Sequence, residues 1–216
     1  MTMLYNVTAD LQKKDTKNLY MLPGIHENSE LTSVEYQKNE SGSEFIAFYF
    51  ENPYKEKLSH TEWKVFPRKN IDTLNEKEKT LYARLINEQI ARINKIVTTF
   101  ISEEKFRGVE ANSFEEFCKK TIQTLGDSYK GVKVRIKVVY DKRNFTALPS
   151  YTNYEWIEPM SVSKEESKIK ILAKDKLVKA LPSKLEGADE KVNEIEIQTN
   201  KEQELAIPKN EDDLPF

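Results

Sequence analysis

The chain has one cysteine, two histidines and six glycines among 216 residues. A single thiol, Cys118, excludes an internal disulfide, and with only His26 and His60 beside it there is no zinc-finger ligand spacing. So few glycines leave little room for a phosphate-cradling loop. Neither G-x-x-x-x-G-K-[ST] nor G-x-G-x-x-G occurs, and H-E-x-x-H is missing too. No apolar run approaches the roughly 18 residues that span a bilayer. The first residues, Met1-Thr2-Met3-Leu4-Tyr5-Asn6, have neither a basic n-region nor an apolar h-region, so a cytoplasmic protein without a signal peptide is expected. The carboxylate pairs Glu103-Glu104 and Glu115-Glu116 lie among lysines and read as solvated helix faces. No catalytic residue, metal or cofactor is therefore expected.

What is there begins with a charge asymmetry. Residues 183–216 hold ten acids and four lysines, a net of −6; the whole chain has 34 basic and 36 acidic residues, so residues 1–182 hold 30 and 26, a net of +4. A mildly basic body with an acidic tail suits a nucleic-acid binder that must also recruit partners without the tail adhering to phosphate.

The pattern of the body reads as strands, then helices, then strands. Residues 25–36 alternate loosely and end in the turn Asn39-Glu40-Ser41-Gly42-Ser43. Residues 44–51, Glu-Phe-Ile-Ala-Phe-Tyr-Phe-Glu, form a strand whose period of two puts Ile46, Phe48 and Phe50 inward and Phe45 and Tyr49 outward, with the small Ala47 between them. After a loop opened by Asn52-Pro53-Tyr54, residues 58–66 return and complete a meander. Leu81, Leu85, Ile86, Ile90, Ile93, Val97, Phe100 and Ile101 then recur at helical spacing and predict a helix over 76–102. A second helix is predicted from the Ser113/Glu116 capping box to Gly126, with Cys118 on its buried stripe. Past Gly131, Val132, Val134, Ile136 and Val138 alternate with Lys133, Arg135 and Lys137, which sets basic groups about 7 Å apart along one strand face. A further strand at 154–159 and a last ordered patch at 168–172 follow.

Lysines spaced like phosphates, the basic turn Lys142-Arg143 and the nearby Tyr151, Tyr154 and Trp156 meet the physical requirement for binding single strands: cations for phosphates and π-faces for unpaired bases. The expected single-stranded DNA contacts are Lys133, Arg135, Lys137, Lys142 and Arg143 for phosphate, with Phe45, Tyr49, Trp63, Tyr151, Tyr154 and Trp156 for stacking. The succession of elements fits an α+β chain: a five-stranded OB-type barrel with a two-helix insertion at about 68–129, between strands three and four. The body would cover residues 1–182, and a disordered acidic tail residues 183–216.

The tail ends in Asp212-Asp213-Leu214-Pro215-Phe216, two carboxylates, a Leu-Pro turn and a terminal Phe. This closely resembles the acidic C-terminal tip of bacterial and phage single-stranded DNA-binding proteins. The segments 24–66 and 130–158 look like the two halves of the OB-fold in phage-encoded members. The resemblance implies a non-catalytic protein that coats single-stranded DNA in replication, recombination and repair, acts in the host cytoplasm, and recruits other proteins through Asp212 to Phe216. The long insertion departs from the tetramer-forming bacterial proteins and puts that assembly in doubt. Two alternatives stand beside it: an interaction adaptor of the replication machinery without direct DNA binding, and a metal-dependent nuclease.

Overall fold

A computed structural model of the chain describes residues 19–67 and 69–179. The acidic segment 183–216, including Asp212, Asp213, Leu214, Pro215 and Phe216, lies outside the described residues.

Three antiparallel strands form the expected meander: β1 (Gly24–Lys38), β2 (Glu44–Glu51) and β3 (Lys57–Trp63). Their turns are written in the sequence. Gly42 takes φ 78° in the first, where Asn39 Oδ1 accepts the Ser43 amide. In the second, the buried Asn52 accepts the amides of Tyr54 and Glu56, and Lys55 adopts φ 64°. β1 is long because it serves two neighbours. It breaks register against β2 between Leu31 and Ser33, and against the strand at Lys133–Tyr140 between His26 and Ser29, where Asn28 has φ 55°. Each irregularity adds local twist, so one strand can curl between two partners.

The insertion contains three helices where the periodicity predicts two: α1 (Glu76–Val97), α2 (Glu103–Arg107) and α3 (Phe114–Leu125). The stripe to residue 102 runs through a break, because Ser102 caps a new helix by accepting the Lys105 amide. α1 starts at a complete capping box, Asn75 with Glu78. The box expected at α3 is half made: Ser113 accepts the Glu116 amide, whereas the Glu116 carboxylate takes the Asn112 amide. Only the C-terminal half of α1 is buried, through Gln89, Ile93, Ile96 and Val97, while Leu81 and Leu85 stay exposed.

The chain returns through β4 (Lys133–Tyr140), β5 (Thr146–Ala147) and β6 (Ile157–Pro159). The strand expected over 154–159 is thus shorter, β5 is an addition, and residues 168–172 form no strand although Ile169 is buried. Hydrogen-bonded order is β3-β2-β1-β4-β5, with β6 also on β4, and every ladder is antiparallel. The fold is mixed α+β with an open sheet: β3 and β5, the two ends of the path, approach within 8 Å between Cα atoms, yet no ladder joins them among the described residues. Ile46, Phe48 and Phe50 of β2 and Val134, Ile136 and Val138 of β4 point into one core shared with Ile93, Ile96 and Cys118. Among the described residues no helix is long and apolar enough to cross a membrane.

Side chains bridge the gap between β3 and β5. His60 on β3 accepts the Leu148 amide on Nδ1 (3.3 Å), which leaves its proton on Nε2 for Glu62 (3.2 Å). Glu62 in turn takes both Nε (2.6 Å) and Nη2 (2.8 Å) of Arg92 on α1. Burial alone would raise the Glu62 carboxyl, but Arg92 and His60 outweigh it and hold it at about 2. Its folded value lies below its unfolded 4.5, so the stability it contributes is present above about 4.5 and is lost as pH falls toward about 2. Arg92→Ala, which leaves Glu62 buried without its guanidinium partner, is expected to cost about 3 to 5 kcal/mol. Glu62→Gln should flatten the acid limb. Urea unfolding of both variants and the parent, at pH values on either side of 4.5, checks this; an unchanged acid limb in Glu62→Gln would place the pH dependence elsewhere.

Candidate nucleic-acid interface

Two of the three basic residues on β4 do not face solvent. Lys133 is exposed, but Arg135 is 4% and Lys137 0% exposed. Arg135 meets Glu158, its cross-strand partner on β6, and Glu27 at 3.2 Å. Lys137 donates to Asp175 (2.9 Å) and to the Lys170 carbonyl (2.6 Å). Burial alone would raise the Asp175 carboxyl, yet the Lys137 ammonium, the Leu172 amide and the Tyr151 hydroxyl hold it below the usual range. The expectation that Arg135 and Lys137 contact phosphate is corrected: Glu27 on β1 and Glu158 on β6 engage Arg135, and the segment after β6 brings the Lys170 carbonyl and Asp175 to Lys137. Period two identifies a face but not what lies over it.

Trp156 is corrected likewise. It is fully buried, and its indole N–H donates to the Tyr151 carbonyl (2.8 Å), so no base can reach the ring.

The outward face of β2 and β3 carries aromatic groups as expected. Phe45 and Trp63 are register partners with ring centroids 4.5 Å apart, tilted by 44°, and Trp63 is 40% exposed. Tyr49 lies farther along β2, between Ser33 of β1 and Ser59 of β3. A 590 Å³ cleft runs beside it, in which Lys57 is the one cation among the lining residues. This face offers rings with little positive charge.

Charge and rings converge instead at the far edge of β4. The β4–β5 turn is held by Asp141, whose Oδ1 accepts the amides of Arg143 (2.8 Å) and Phe145 (2.9 Å), and it presents Lys142 and Arg143 to solvent. Phe145 is 64% exposed, and its ring centroid lies 5.6 Å from the Arg143 guanidinium carbon. Beside the turn is a groove of 790 Å³ lined by Tyr140, Lys142, Arg143, Tyr151, Lys174 and Lys176. Its carboxylates are occupied: Asp141 by the turn amides and, at 3.6 Å, by Arg143, and Asp175 by Lys137, Leu172 and Tyr151. The Lys176 carbonyl accepts the Tyr140 amide (2.8 Å), which ties the outer segment to β4. The groove is therefore cationic with π-faces, the combination a flexible anionic strand with unstacked bases requires.

The structure thus brings Lys142, Arg143 and Tyr151 together, with Tyr154 packed edge-on against Tyr151 at 5.8 Å, and sets Phe45, Tyr49 and Trp63 on a separate face. Sequence reading missed Tyr140, Lys174 and Lys176. A signal for the two lysines was present in the recurrence of lysine at positions 168, 170, 174, 176 and 179.

The remaining candidates for chemistry are held in structural roles. Glu103 pairs with Arg107, Glu115 with Lys119 and Lys38, and Glu116 with Lys120. Burial, with a smaller contribution from the Glu44 charge, pushes the Cys118 thiol up to about 12. Among the described residues no three His, Cys, Asp or Glu side chains cluster as metal ligands would.

Compared with known proteins, the chain matches no family model and no curated sequence. The buried cation yields a prediction that separates structure from binding. Lys137→Ala leaves Asp175 uncompensated in the interior and is expected to lower stability by about 3 to 5 kcal/mol. Lys142→Ala should leave stability within about 0.5 kcal/mol of the parent. Denaturant melts of the two variants distinguish these roles, and equal stability of both would mean that Lys137 is solvated.

Proposed function

We propose that this chain is a non-catalytic single-stranded DNA-binding protein with an OB-type body, and that the groove between the β4–β5 turn and residues 174–176 carries the strand. The observation that carries this reading is the groove itself: four cations with few uncommitted carboxylates opposing them, beside two tyrosine rings, in a cleft of 790 Å³. The strand path supports it. An order of β3-β2-β1-β4-β5 with β5 beside β3 and the helices inserted between β3 and β4 is the circuit of a partly open OB barrel, whose β4–β5 loop is one of its ligand-contacting loops. Phe45 and Trp63 on β2 and β3 offer a second stacking surface on the same reading. The acidic segment, with Asp212 to Phe216 at its end, is proposed to recruit proteins of replication, recombination or repair; the mild positive charge of the body leaves the strand to the groove.

The adaptor reading draws on one observation, the rings of Phe45, Tyr49 and Trp63 set among serines and a threonine where cations are scarce. Titration with labelled poly-dT at two salt concentrations separates the two. Single-strand binding gives an affinity that falls with salt, and an adaptor gives none at either concentration. Replacing Lys142, Arg143 and Lys176 together with Ala should flatten the dependence of log K on log salt by about 0.7 for each phosphate no longer neutralised, with the melting curve unchanged. A slope identical to the parent's would place the strand elsewhere on the molecule.

A further inference from the structure

Lys174 is exposed, yet its ammonium sits 3.9 Å from the Tyr151 ring centroid and 4.4 Å from that of Tyr154. Two rings meet it and, among the described residues, no carboxylate does. The rings are held differently. Tyr151 is fixed, because its hydroxyl donates to Asp175 (2.7 Å), which is itself locked by Lys137 and the Leu172 amide. Tyr154 is 46% exposed and meets Tyr151 only edge to face. A rigid ring and a long flexible cation of the groove therefore meet a half-free ring beside it.

Resting on the single-strand reading, we infer that Lys174 is a displaceable plug: in the free protein its ammonium lies against the rings of Tyr151 and Tyr154, which are nearly perpendicular, and in the complex a nucleobase stacks on the half-exposed Tyr154 ring while the ammonium moves to the adjacent phosphate. Both halves of the exchange are favourable. An exposed cation–π contact is weaker than base stacking on an aromatic ring, so the base wins the surface. A freed ammonium beside a phosphodiester then releases a counterion from the strand. The four-carbon stem of lysine gives it the reach to serve both positions. The device also keeps the ring faces covered when no strand is present, which suppresses adhesion to other flat apolar groups.

The test uses the full chain, Lys174→Ala and Tyr154→Ala, with two probes: an oligo-dT, and an abasic oligomer with the same number of phosphodiesters. Log K is followed against log salt from low to molar concentration. With oligo-dT, Lys174→Ala is expected to bind more weakly at low salt, with a slope smaller by about 0.7, and more tightly at high salt, because the uncovered rings no longer require displacement of the ammonium. The two lines cross. With the abasic oligomer the same variant has a smaller slope and its line converges on the parent's without crossing. Tyr154→Ala is expected to weaken oligo-dT binding by about 5- to 150-fold and to leave the abasic oligomer unaffected. Lines for oligo-dT that converge without crossing would reduce Lys174 to an ordinary phosphate ligand and overturn the exchange, and a Lys174→Ala variant identical to the parent on both probes would overturn it too. If the parent binds neither probe, the single-strand reading fails first and takes the plug with it.

Discussion

A lysine with no solvent exposure in the middle of a sheet must be neutralised where it stands. Lys137 occupies that position on β4, and Asp175 supplies the charge from 38 residues further along the chain. Desolvating an ammonium and a carboxylate is tolerable only when both are paired and their remaining hydrogen-bonding capacity is filled. Here the Lys170 carbonyl, the Leu172 amide and the Tyr151 hydroxyl fill it. The segment after β6 is thereby pinned across β4, and the same Asp175 that neutralises the lysine also orients Tyr151. The groove is built on that pin. Lys174 and Lys176 flank the anchored aspartate in sequence, so fixing one residue delivers its two neighbours to the edge of the sheet.

A second polar device does for the other end of the sheet what a ladder does elsewhere. β3 and β5 lack a ladder, and His60, Glu62 and Arg92 join β3 to the residues after β5 and to α1 through directed hydrogen bonds. Such a network is orientation-specific in a way apolar packing is not, since each donor has one acceptor that fits it. It fixes how far the insertion can slide over the sheet, and it does so from inside, leaving the outward faces of β2 and β3 free for Phe45, Tyr49 and Trp63.

The legible parts of the fold were those governed by local periodicity. The meander, its turns, the inward set Ile46, Phe48 and Phe50, and the existence of both long helices follow from spacing and cap chemistry alone. What spacing could not reveal was coverage. Arg135 and Lys137 alternate as a solvated strand face would, and only the distant Glu158 and Asp175 make them interior groups. Trp156 sits between Tyr154 and Ile157 in a stretch that reads equally well as a wet platform or a core strand, and tertiary packing chose the core. The site was half legible for the same reason. Lys142 and Arg143 announce themselves by their turn, whereas Lys174 and Lys176 lie in a lysine-rich stretch without periodicity, and what places them is the buried Asp175 carboxylate together with the Lys176 carbonyl on the Tyr140 amide.

β5 is two residues long, joined to β4 by the register pairs Val139 with Ala147 and Tyr140 with Thr146. A ladder this short is barely enough to fix a turn, and it sits beside an eight-residue strand whose other edge is zipped to β1. Opening those two rungs exposes almost no apolar surface, so its free energy belongs to the low end of the local-unfolding scale, far from that of the whole domain. The arm bearing Lys142 and Arg143 can therefore breathe on its own timescale: amide exchange there is decoupled from global melting, and the arm can follow a ligand's contour while the strands beneath it hold their register.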